Sequence, residues 1–264
     1  MLAFSKSDVV RDPYPHAIKT NVLEQSFYQR LKGQFPKEDF FQKIAPVMGN
    51  RRRVASDEPA FYEFLDRSEA WKTFYAYLNS DAFVHLAIDL FGDQLKAFEC
   101  RFDPNKPWKF DPHHHASVLR DKQSAVRSRI RKFRERYMQN RQELFVHLDI
   151  SSAHNGYTRE IHTDNPNRLL AMVMYFSSAQ ETGGAGGQLA LFKHREKKPL
   201  SEYERFPKDS DTVLLESVSP EDDKAAIFLC TKNSYHSVPL VKDAKAWRNF
   251  IYFGLTAKAD SLWR

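Results

Sequence analysis

Three stretches of the sequence place a histidine two residues before a carboxylate, an arrangement that can hold a metal ion. The three pairs are His147 with Asp149, His162 with Asp164, and His194 with Glu196. In an extended strand, residues i and i+2 point to the same side, so each pair could bind one ion. Because ten histidines produce three such pairs, the pattern alone does not identify a site.

The pair His162 and Asp164 has the surroundings that a metal site needs. Residues 165–167, Asn-Pro-Asn, favour a turn and place the pair at the end of a strand. A third ligand must come from another strand, and His236, in the short apolar run 235–241, is the best candidate. Two histidines and one carboxylate on one side of an ion leave coordination positions open, as in non-haem iron(II) oxygenases.

Arg248 predicts an anion near this site. It opens the apolar run 248–255, and burying a guanidinium without an anionic partner is costly. A guanidinium binds a carboxylate through two parallel hydrogen bonds, so the partner is either a protein carboxylate or a bound small acid. Tyr175, in the apolar run 169–176, could contact the same carboxylate if both side chains face inward.

The order of these residues resembles that in the iron(II)/2-oxoglutarate-dependent dioxygenases. A His-x-Asp at His162 and Asp164 is followed by the distant His236 and, twelve residues later, by Arg248. The stretch IHTDNPNRLLAMVMYF, with GGAGGQLALF after it, resembles the prolyl-4-hydroxylase-like branch in particular. The resemblance covers about residues 144–256.

The resemblance implies a double-stranded β-helix, or jelly roll, in which His162, Asp164 and His236 bind Fe(II). It also implies that Arg248, helped by Tyr175, binds the distal carboxylate of 2-oxoglutarate, with O2 as cosubstrate and ascorbate as a stimulant. The implied reaction is hydroxylation of an unactivated C–H bond, with decarboxylation of 2-oxoglutarate to succinate and CO2. The halogenase members of this superfamily lack the carboxylate ligand, so the presence of Asp164 favours hydroxylation.

The other two pairs lack this setting. The strand with His147 and Asp149 is not followed by a turn and an apolar strand, and we expect it to precede the metal strand. His194 and Glu196 lie in a long charged loop, residues 193–210. We expect this loop and the basic segment described below to flank the entrance of the site.

Helices and then strands must position these residues. Before residue 95, apolar residues at helical spacing predict helices, with an aromatic core, in 22–35, 61–66, 69–79 and 82–91. After it, eight apolar runs of strand length predict a double-sheet jelly roll: 97–102, 144–150, 169–176, 187–192, 212–218, 225–230, 235–241 and 248–255.

The predicted fold class is therefore α+β, mainly β, with the jelly roll covered by N-terminal helices. We expect a single domain, 1–264. Within it, residues 1–94 form a helical support, 95–258 the catalytic core, and about 117–140 a basic helical insertion.

The net charge of +6 is concentrated in one segment, residues 120–136. This segment has eight basic and two acidic residues, so it accounts for the whole excess. A basic helix can bind nucleic acid or another polyanion, or it can simply face solvent, and both interpretations stay open.

The composition indicates a globular protein that does not span a membrane. The apolar content is 42%, two cysteines exclude a disulfide framework, and no run approaches the roughly 18 apolar residues of a membrane span. Because the first residues also lack the apolar run of a signal peptide, we expect a soluble, cytoplasmic protein. The sequence gives no oligomeric state.

The substrate remains open at this stage. It could be an amino acid of prolyl type, peptidyl or free, or another small molecule. A nucleic-acid demethylase is an alternative, but members of that group have a second arginine six residues after the first, where this chain has Gly254. A jelly-roll binding module without catalysis, or one with another metal, is a further alternative.

Four other features are weaker candidates for a role in the site. His113–His115 could bind a metal or form an exposed polar loop. His154 should lie in a turn near the site mouth and could touch substrate. Arg168 could meet an anionic substrate or face solvent, and Cys230 should belong to the core.

Overall fold

Twelve strands form two sheets in the described part of this computed structural model, which covers residues 1–134 and 137–264. The strands are β1 (Val9–Val10), β2 (His16–Thr20), β3 (Arg51–Ala55), β4 (Lys109–Phe110), β5 (Asn140–Ala153), β6 (Arg159–His162), β7 (Arg168–Tyr175), β8 (Leu189–His194), β9 (Thr212–Val218), β10 (Lys224–Leu229), β11 (Tyr235–Val238) and β12 (Arg248–Lys258). The large sheet has the order β1-β2-β10-β7-β12-β5-β3, with β4 also paired to β5. The small sheet has the order β6-β11-β8-β9.

The strand pairings are antiparallel except that of β4 with β5, and side chains from both sheets share one apolar cluster. This cluster joins Val173 and Phe250 of the large sheet to Leu189, Leu191 and Val218 of the small one. The prediction of a mainly β, double-sheet jelly roll is confirmed.

The large sheet is buried on both faces, because successive side chains of its central strands point to opposite sides. In β12, Ile251 and Phe253 pack into the cluster that the helices cover, whereas Phe250 and Tyr252 face the small sheet. In β7, every residue after Arg168 is buried. The two runs that the sequence shows as apolar on both faces are therefore covered central strands.

The first five helices cover the outer face of the large sheet. The described residues form the helices α1 (Gln25–Gly33), α2 (Glu38–Gln42), α3 (Pro59–Leu65), α4 (Glu69–Leu78), α5 (Asp81–Leu95), α6 (His114–Lys122), α7 (Ala125–Tyr137) and α8 (Ala179–Thr182), with 3₁₀ turns at Lys6–Asp8, Leu200–Glu202 and Asp209–Asp211. Trp71 of α4 is fully buried, packs 5.2 Å from the ring of Phe176 and donates its indole N–H to the carbonyl of Leu31. The predicted aromatic stripe is therefore core. Within the described residues, the helices are too short or too polar to cross a membrane.

The prediction of a strand at residues 97–102 is wrong. The chain turns after α5 ends at Leu95, and Glu99 takes a left-handed backbone conformation with φ of 56°. In this stretch, Cys100 forms an isolated β-bridge with Trp263 and no strand. A left-handed residue interrupts an extended strand, so an apolar pattern alone misreads the segment.

The basic segment, residues 120–136, forms the end of α6 and most of α7. Two of the charged residues counted in this segment, Glu135 and Arg136, lie outside the described residues. On α7, the side chains of Ile130 and Phe133 are largely exposed. The helix lines a cavity of about 950 Å³. The metal-ligand candidates do not line this cavity.

Candidate metal centre

Three predicted ligands meet where β6 and β11 lie side by side. His162 is the last residue of β6, and the antiparallel register places His236 of β11 directly opposite it. Asp164 follows two residues after His162, beyond the end of the strand. One potential ligand atom from each of the three residues lies within 4.8 Å of the others. Because all three side chains are buried or nearly so, they form a compact set that could hold one metal ion.

Backbone carbonyls orient both histidine rings toward the shared centre. Nδ1 of His162 lies 2.9 Å from the carbonyl oxygen of Glu160, and Nδ1 of His236 lies 3.0 Å from that of Ser234. Each ring therefore donates its Nδ1–H to the backbone and keeps the lone pair of Nε2 for a metal. Burial, with the neighbouring His236 ring, lowers the pKa of His162 to about 3, so this ring is neutral at pH 7.

Asp164 is held by three donors from three other positions in the fold. Nη1 of Arg168 lies 3.2 Å from Oδ1, and the hydroxyl of Tyr252 donates to Oδ2 across 2.7 Å. The thiol of Cys230 lies 3.4 Å from the same Oδ2. Burial by itself raises the pKa of Asp164, but the charge of Arg168 and the nearby rings outweigh it and lower the pKa well below its usual value. Asp164 is therefore ionised, as a metal ligand must be.

The prediction that Arg168 could face solvent is wrong, because its side chain is largely buried and pairs with Asp164. A contact between Arg168 and an anionic substrate stays a prediction. Gly254 makes room for the Arg168 side chain: a Cβ added there would lie 2.5 Å from Nε of Arg168. Cys230 is buried in the core as predicted, and it also touches the candidate ligand.

Arg248 lies in a pocket of aromatic rings and has no protein acid to pair with. It is 4% exposed, and its guanidinium carbon lies 4.6 Å, 5.3 Å and 5.9 Å from the ring centroids of Phe250, Tyr157 and Tyr175. Among the described residues, no carboxylate lies within ion-pair distance of it, and its Nε has no hydrogen-bond partner. A Cβ on Gly187 would approach Nη1 to 3.3 Å, so the glycine leaves space beside the guanidinium. This orphaned buried cation fits a small external carboxylate.

The hydroxyl of Tyr175 is already engaged by the backbone. It accepts the N–H of Leu189 at 3.0 Å and lies 3.3 Å from the carbonyl oxygen of Val218, to which it donates. Its ring borders the guanidinium of Arg248. A contact between Tyr175 and a bound carboxylate stays a prediction.

The metal-ligand candidates and Arg248 open onto the same cavity, of about 200 Å³. Tyr175 and Phe250 also line it, so the sheet interior supplies an apolar wall. The 193–210 loop reaches this cavity through Arg205, which hydrogen-bonds to the carbonyl oxygen of Thr163. The loop therefore borders this cavity, as expected. The expectation that the basic segment also flanks the site is wrong, because α7 lines the other cavity.

The other buried His-x-Asp pair, His147 with Asp149, is bound by protein side chains. Nε2 of His147 lies 2.8 Å from Oδ1 of Asp149, and Arg51 and Arg53 each donate to this carboxylate, at 2.9 Å and 2.7 Å. Burial raises the pKa of Asp149, but the hydrogen bond from His147 and the charges around it lower the pKa well below its usual value. Arg51 and Arg53 are not among the predicted site residues. Their alternation in β3, which places both on one side, was the available signal.

The remaining candidates lie outside the site. His114 and His115 begin α6, where His114 stacks 3.7 Å from Phe145 and His115 bonds to the carbonyl of Val146, so the prediction of an exposed loop is wrong for both. His154 packs against Trp247 and does not line the site cavity.

His194 and Glu196, the third pair, are both partly or fully exposed. The backbone N–H of Glu196 lies 3.1 Å from Nδ1 of His194, so the two residues form a local turn. Among the described residues, the grouping of three potential ligands occurs at His162, Asp164 and His236 and not at this pair.

Residues 134–253 match the family model described as the 2OG-Fe(II) oxygenase superfamily. This segment contains all five predicted site residues, which are His162, Asp164, Tyr175, His236 and Arg248. No match was found among curated proteins.

Three solved structures are similar to the chain at low identity. A prolyl-4-hydroxylase from Pseudomonas putida is 13% identical, with a TM-score of 0.46 and 92% of each chain covered. A prolyl 4-hydroxylase from Phytophthora capsici is 12% identical, with a TM-score of 0.48, 93% of this chain covered and 60% of the other. A prolyl hydroxylase from Trichoplax adhaerens, solved with a peptide fragment of hypoxia inducible factor, is 15% identical, with a TM-score of 0.42, 92% of this chain covered and 84% of the other.

Proposed function

We propose that this chain, which belongs to the 2OG-Fe(II) oxygenase superfamily and is an Fe(II)/2-oxoglutarate-dependent dioxygenase, hydroxylates an unactivated C–H bond. The substrate would be an amino acid of prolyl type, peptidyl or free, or another small molecule. One observation supports this proposal most strongly. The His-Asp-His set and an arginine without an acid partner among the described residues line the same cavity.

The metal would be held by Nε2 of His162, Nε2 of His236 and a carboxylate oxygen of Asp164. The two Nδ1–H donations to the backbone keep the imidazole lone pairs aimed at the centre. Two nitrogens and one oxygen suit iron(II) and leave room for further ligands. When bound, Fe(II) and 2-oxoglutarate supply the oxidising chemistry, in which O2 is consumed and 2-oxoglutarate is converted to succinate and CO2.

Arg248 would hold the distal carboxylate of 2-oxoglutarate. The guanidinium fork matches a carboxylate, and the rings around it keep water away, so the ion pair forms in a poorly solvated pocket. The presence of Asp164 supports hydroxylation rather than halogenation, since the carboxylate occupies the ligand position that halogenases leave open.

A nucleic-acid demethylase is the less favoured alternative. The position expected for its second arginine is Gly254, and the guanidinium of Arg168, from β7, fills the space beside this glycine and pairs with Asp164. An arginine committed to a ligand is not free to bind a nucleic acid. Steep loss of affinity for an oligonucleotide with added salt would favour the alternative.

The test is an anaerobic titration of the metal-free protein with Fe(II) and then with 2-oxoglutarate. We expect a visible charge-transfer band in the wild type, a much weaker affinity for 2-oxoglutarate in Arg248→Gln, and no change in Arg67→Gln, which removes an exposed arginine. Admitting O2 should then release succinate. A folded wild-type protein without a band would contradict the proposal and leave a binding module as the better interpretation.

A further inference from the structure

The cavity at the candidate metal centre is unusually rich in arginine. Five line it: Arg51, Arg159, Arg168, Arg205 and Arg248. Two aspartates, Asp149 and Asp164, line it as well, so the side chains leave an excess of three positive charges when the histidines are neutral. A divalent metal and a doubly charged 2-oxoglutarate have opposite charges and would leave this excess in place.

Three of the five arginines have an acid partner, either in the protein or in the proposed cosubstrate. Arg168 pairs with Asp164, and Arg51 pairs with Asp149. Arg248 is the proposed partner of 2-oxoglutarate. The unassigned charge therefore belongs to Arg159 and Arg205.

Arg159 has only neutral partners among the described residues. Its Nε lies 3.3 Å from Nε2 of His162, and its Nη1 lies 3.4 Å from the sulfur of Met48. Nε2 of His162 is the atom that the metal would use, because Nδ1 is committed to the backbone. Metal binding would therefore remove the better of the two acceptors and leave the Arg159 guanidinium in need of an anion.

Arg205 comes from the 193–210 loop and also has neutral partners. It donates to the carbonyl oxygen of Thr163 at 3.2 Å and to Oδ1 of Asn165 at 2.6 Å. These contacts hold the guanidinium on the segment between His162 and the turn that follows Asp164. No carboxylate among the described residues pairs with Arg205, which lies at the rim of the cavity.

We infer that Arg159 and Arg205 bind an anionic group of the primary substrate, and that the substrate carries its own carboxylate close to the C–H bond that is attacked. Guanidinium groups without acid partners recognise carboxylate oxygens through charge-assisted hydrogen bonds. The inference rests on the proposed function, and it narrows the substrate to acids. It also makes acid binding dependent on the metal, since Arg159 is released when His162 binds the ion.

The experiment compares acids with their amides on the same protein. The charge-transfer band of the anaerobic complex with Fe(II) and 2-oxoglutarate is recorded first. A panel of N-acetyl amino acids and dipeptides, each as the free acid and as the carboxamide, is then titrated by calorimetry. A second arm of phosphate monoesters tests whether phosphate supplies the anion instead.

We expect free acids to bind at least about tenfold more tightly than their amides, which is the scale of one charge-assisted hydrogen bond. The same acids should bind at least about tenfold more weakly to the metal-free protein and to Arg159→Gln. Arg159→Lys should restore part of the affinity, and Arg67→Gln should behave as the wild type. Arg205→Gln is the second variant, because Arg205 is exposed and its replacement does not disturb the core.

Equal binding of acids and amides, tighter binding of phosphate esters, or unchanged acid binding in both glutamine variants would overturn the inference. Failure of the whole panel to bind would overturn it as well. Absence of the charge-transfer band in the wild type would instead contradict the proposed function. Because this band is recorded before any acid is added, failure of the proposed function can be distinguished from failure of the inference about acids.

Discussion

The two His-x-Asp pairs, His147 with Asp149 and His162 with Asp164, show how one motif serves two purposes in the same protein. In the first pair the histidine bonds to its own aspartate, and Arg51 and Arg53 neutralise the carboxylate. In the second pair the histidine bonds to the backbone through Nδ1, and its Nε2 is contacted by Arg159 and not by the aspartate.

The difference lies in what surrounds each carboxylate. Asp149 sits in the middle of β5, where neighbouring β3 supplies the two arginines. Asp164 lies beyond the end of β6, where β11 brings His236 within reach. A carboxylate at a strand end can share a ligand set with the next strand, whereas one inside a strand is closed off by cross-strand partners. The surroundings of the motif, and not its spacing, decide which pair can bind a metal.

The largest expected effect is the loss of metal binding in one pair and not in the other. Asp164→Ala should lower Fe(II) affinity by more than about 100-fold, beyond the range of an outer-sphere change. Asp149→Ala should leave Fe(II) affinity within a few fold of the wild type, because its carboxylate is occupied by arginines. Anaerobic calorimetry with Fe(II) measures both. Equal losses in the two variants would show that the pairs are not distinct.

The first pair should instead matter for stability. Arg51 and Asp149 are both nearly buried, with side-chain exposures of 7% and 8%, and removing one partner of a buried pair costs about 3 kcal/mol of unfolding free energy. We expect Arg51→Gln to show such a loss in urea unfolding of the metal-free protein, and Arg67→Gln to show almost none. An Arg51→Gln protein as stable as the wild type would mean that Arg53 and His147 suffice for Asp149.

A smaller effect should appear in the acid range. The pKa of Asp149 is lowered in the folded protein, whereas an aspartate in the unfolded chain has a pKa of about 3.9. Unfolding therefore takes up a proton at acidic pH, and the stability that Asp149 contributes is present above about pH 5 and is lost as the pH falls.

Asp149→Asn should thus be less stable than the wild type at pH 7 and should lose less stability between pH 5 and pH 3. Urea unfolding at several pH values measures this, with the exposed Asp66→Asn as the control. Parallel acid profiles for Asp149→Asn and the wild type would contradict the assignment.

The motif residues can be identified from the sequence because their positions depend on local rules. His162 and Asp164 are placed by a strand end and a turn, and Arg248 opens the apolar run that forms β12. Strand alternation and turn residues are properties of short segments, so they can be identified without the fold.

What surrounds Asp164 could not be predicted in the same way. Arg168, Cys230 and Tyr252 come from β7, from just after β10 and from β12, and they meet at one carboxylate because these three strands are neighbours in the large sheet. In the sequence, Gly254 stands out only because the nucleic-acid demethylases have an arginine at this position. The space that it gives to Arg168 depends on register, which the sequence alone does not reveal.

The contact between Arg168 and Asp164 gives the smallest effect and the most specific one. A methyl group on residue 254 would lie 2.5 Å from Nε of Arg168, closer than real atoms approach, so Gly254→Ala must move the guanidinium. Asp164 would then keep Tyr252 but lose its charged partner. Since outer-sphere partners orient a metal ligand, we expect Gly254→Ala and Arg168→Gln to weaken Fe(II) binding by a similar factor, about tenfold.

The two changes should also not add, because both break the same contact. Combined in one protein, they should weaken Fe(II) binding no more than either change alone, whereas independent effects would multiply to about 100-fold. The matched control is Arg51→Gln, which breaks the arginine pairing at Asp149 and should leave Fe(II) affinity nearly unchanged. Additive losses would mean that Gly254 acts through the packing of β12 and not through Arg168, and the pairing of Arg168 with Asp164 would then have no part in metal binding.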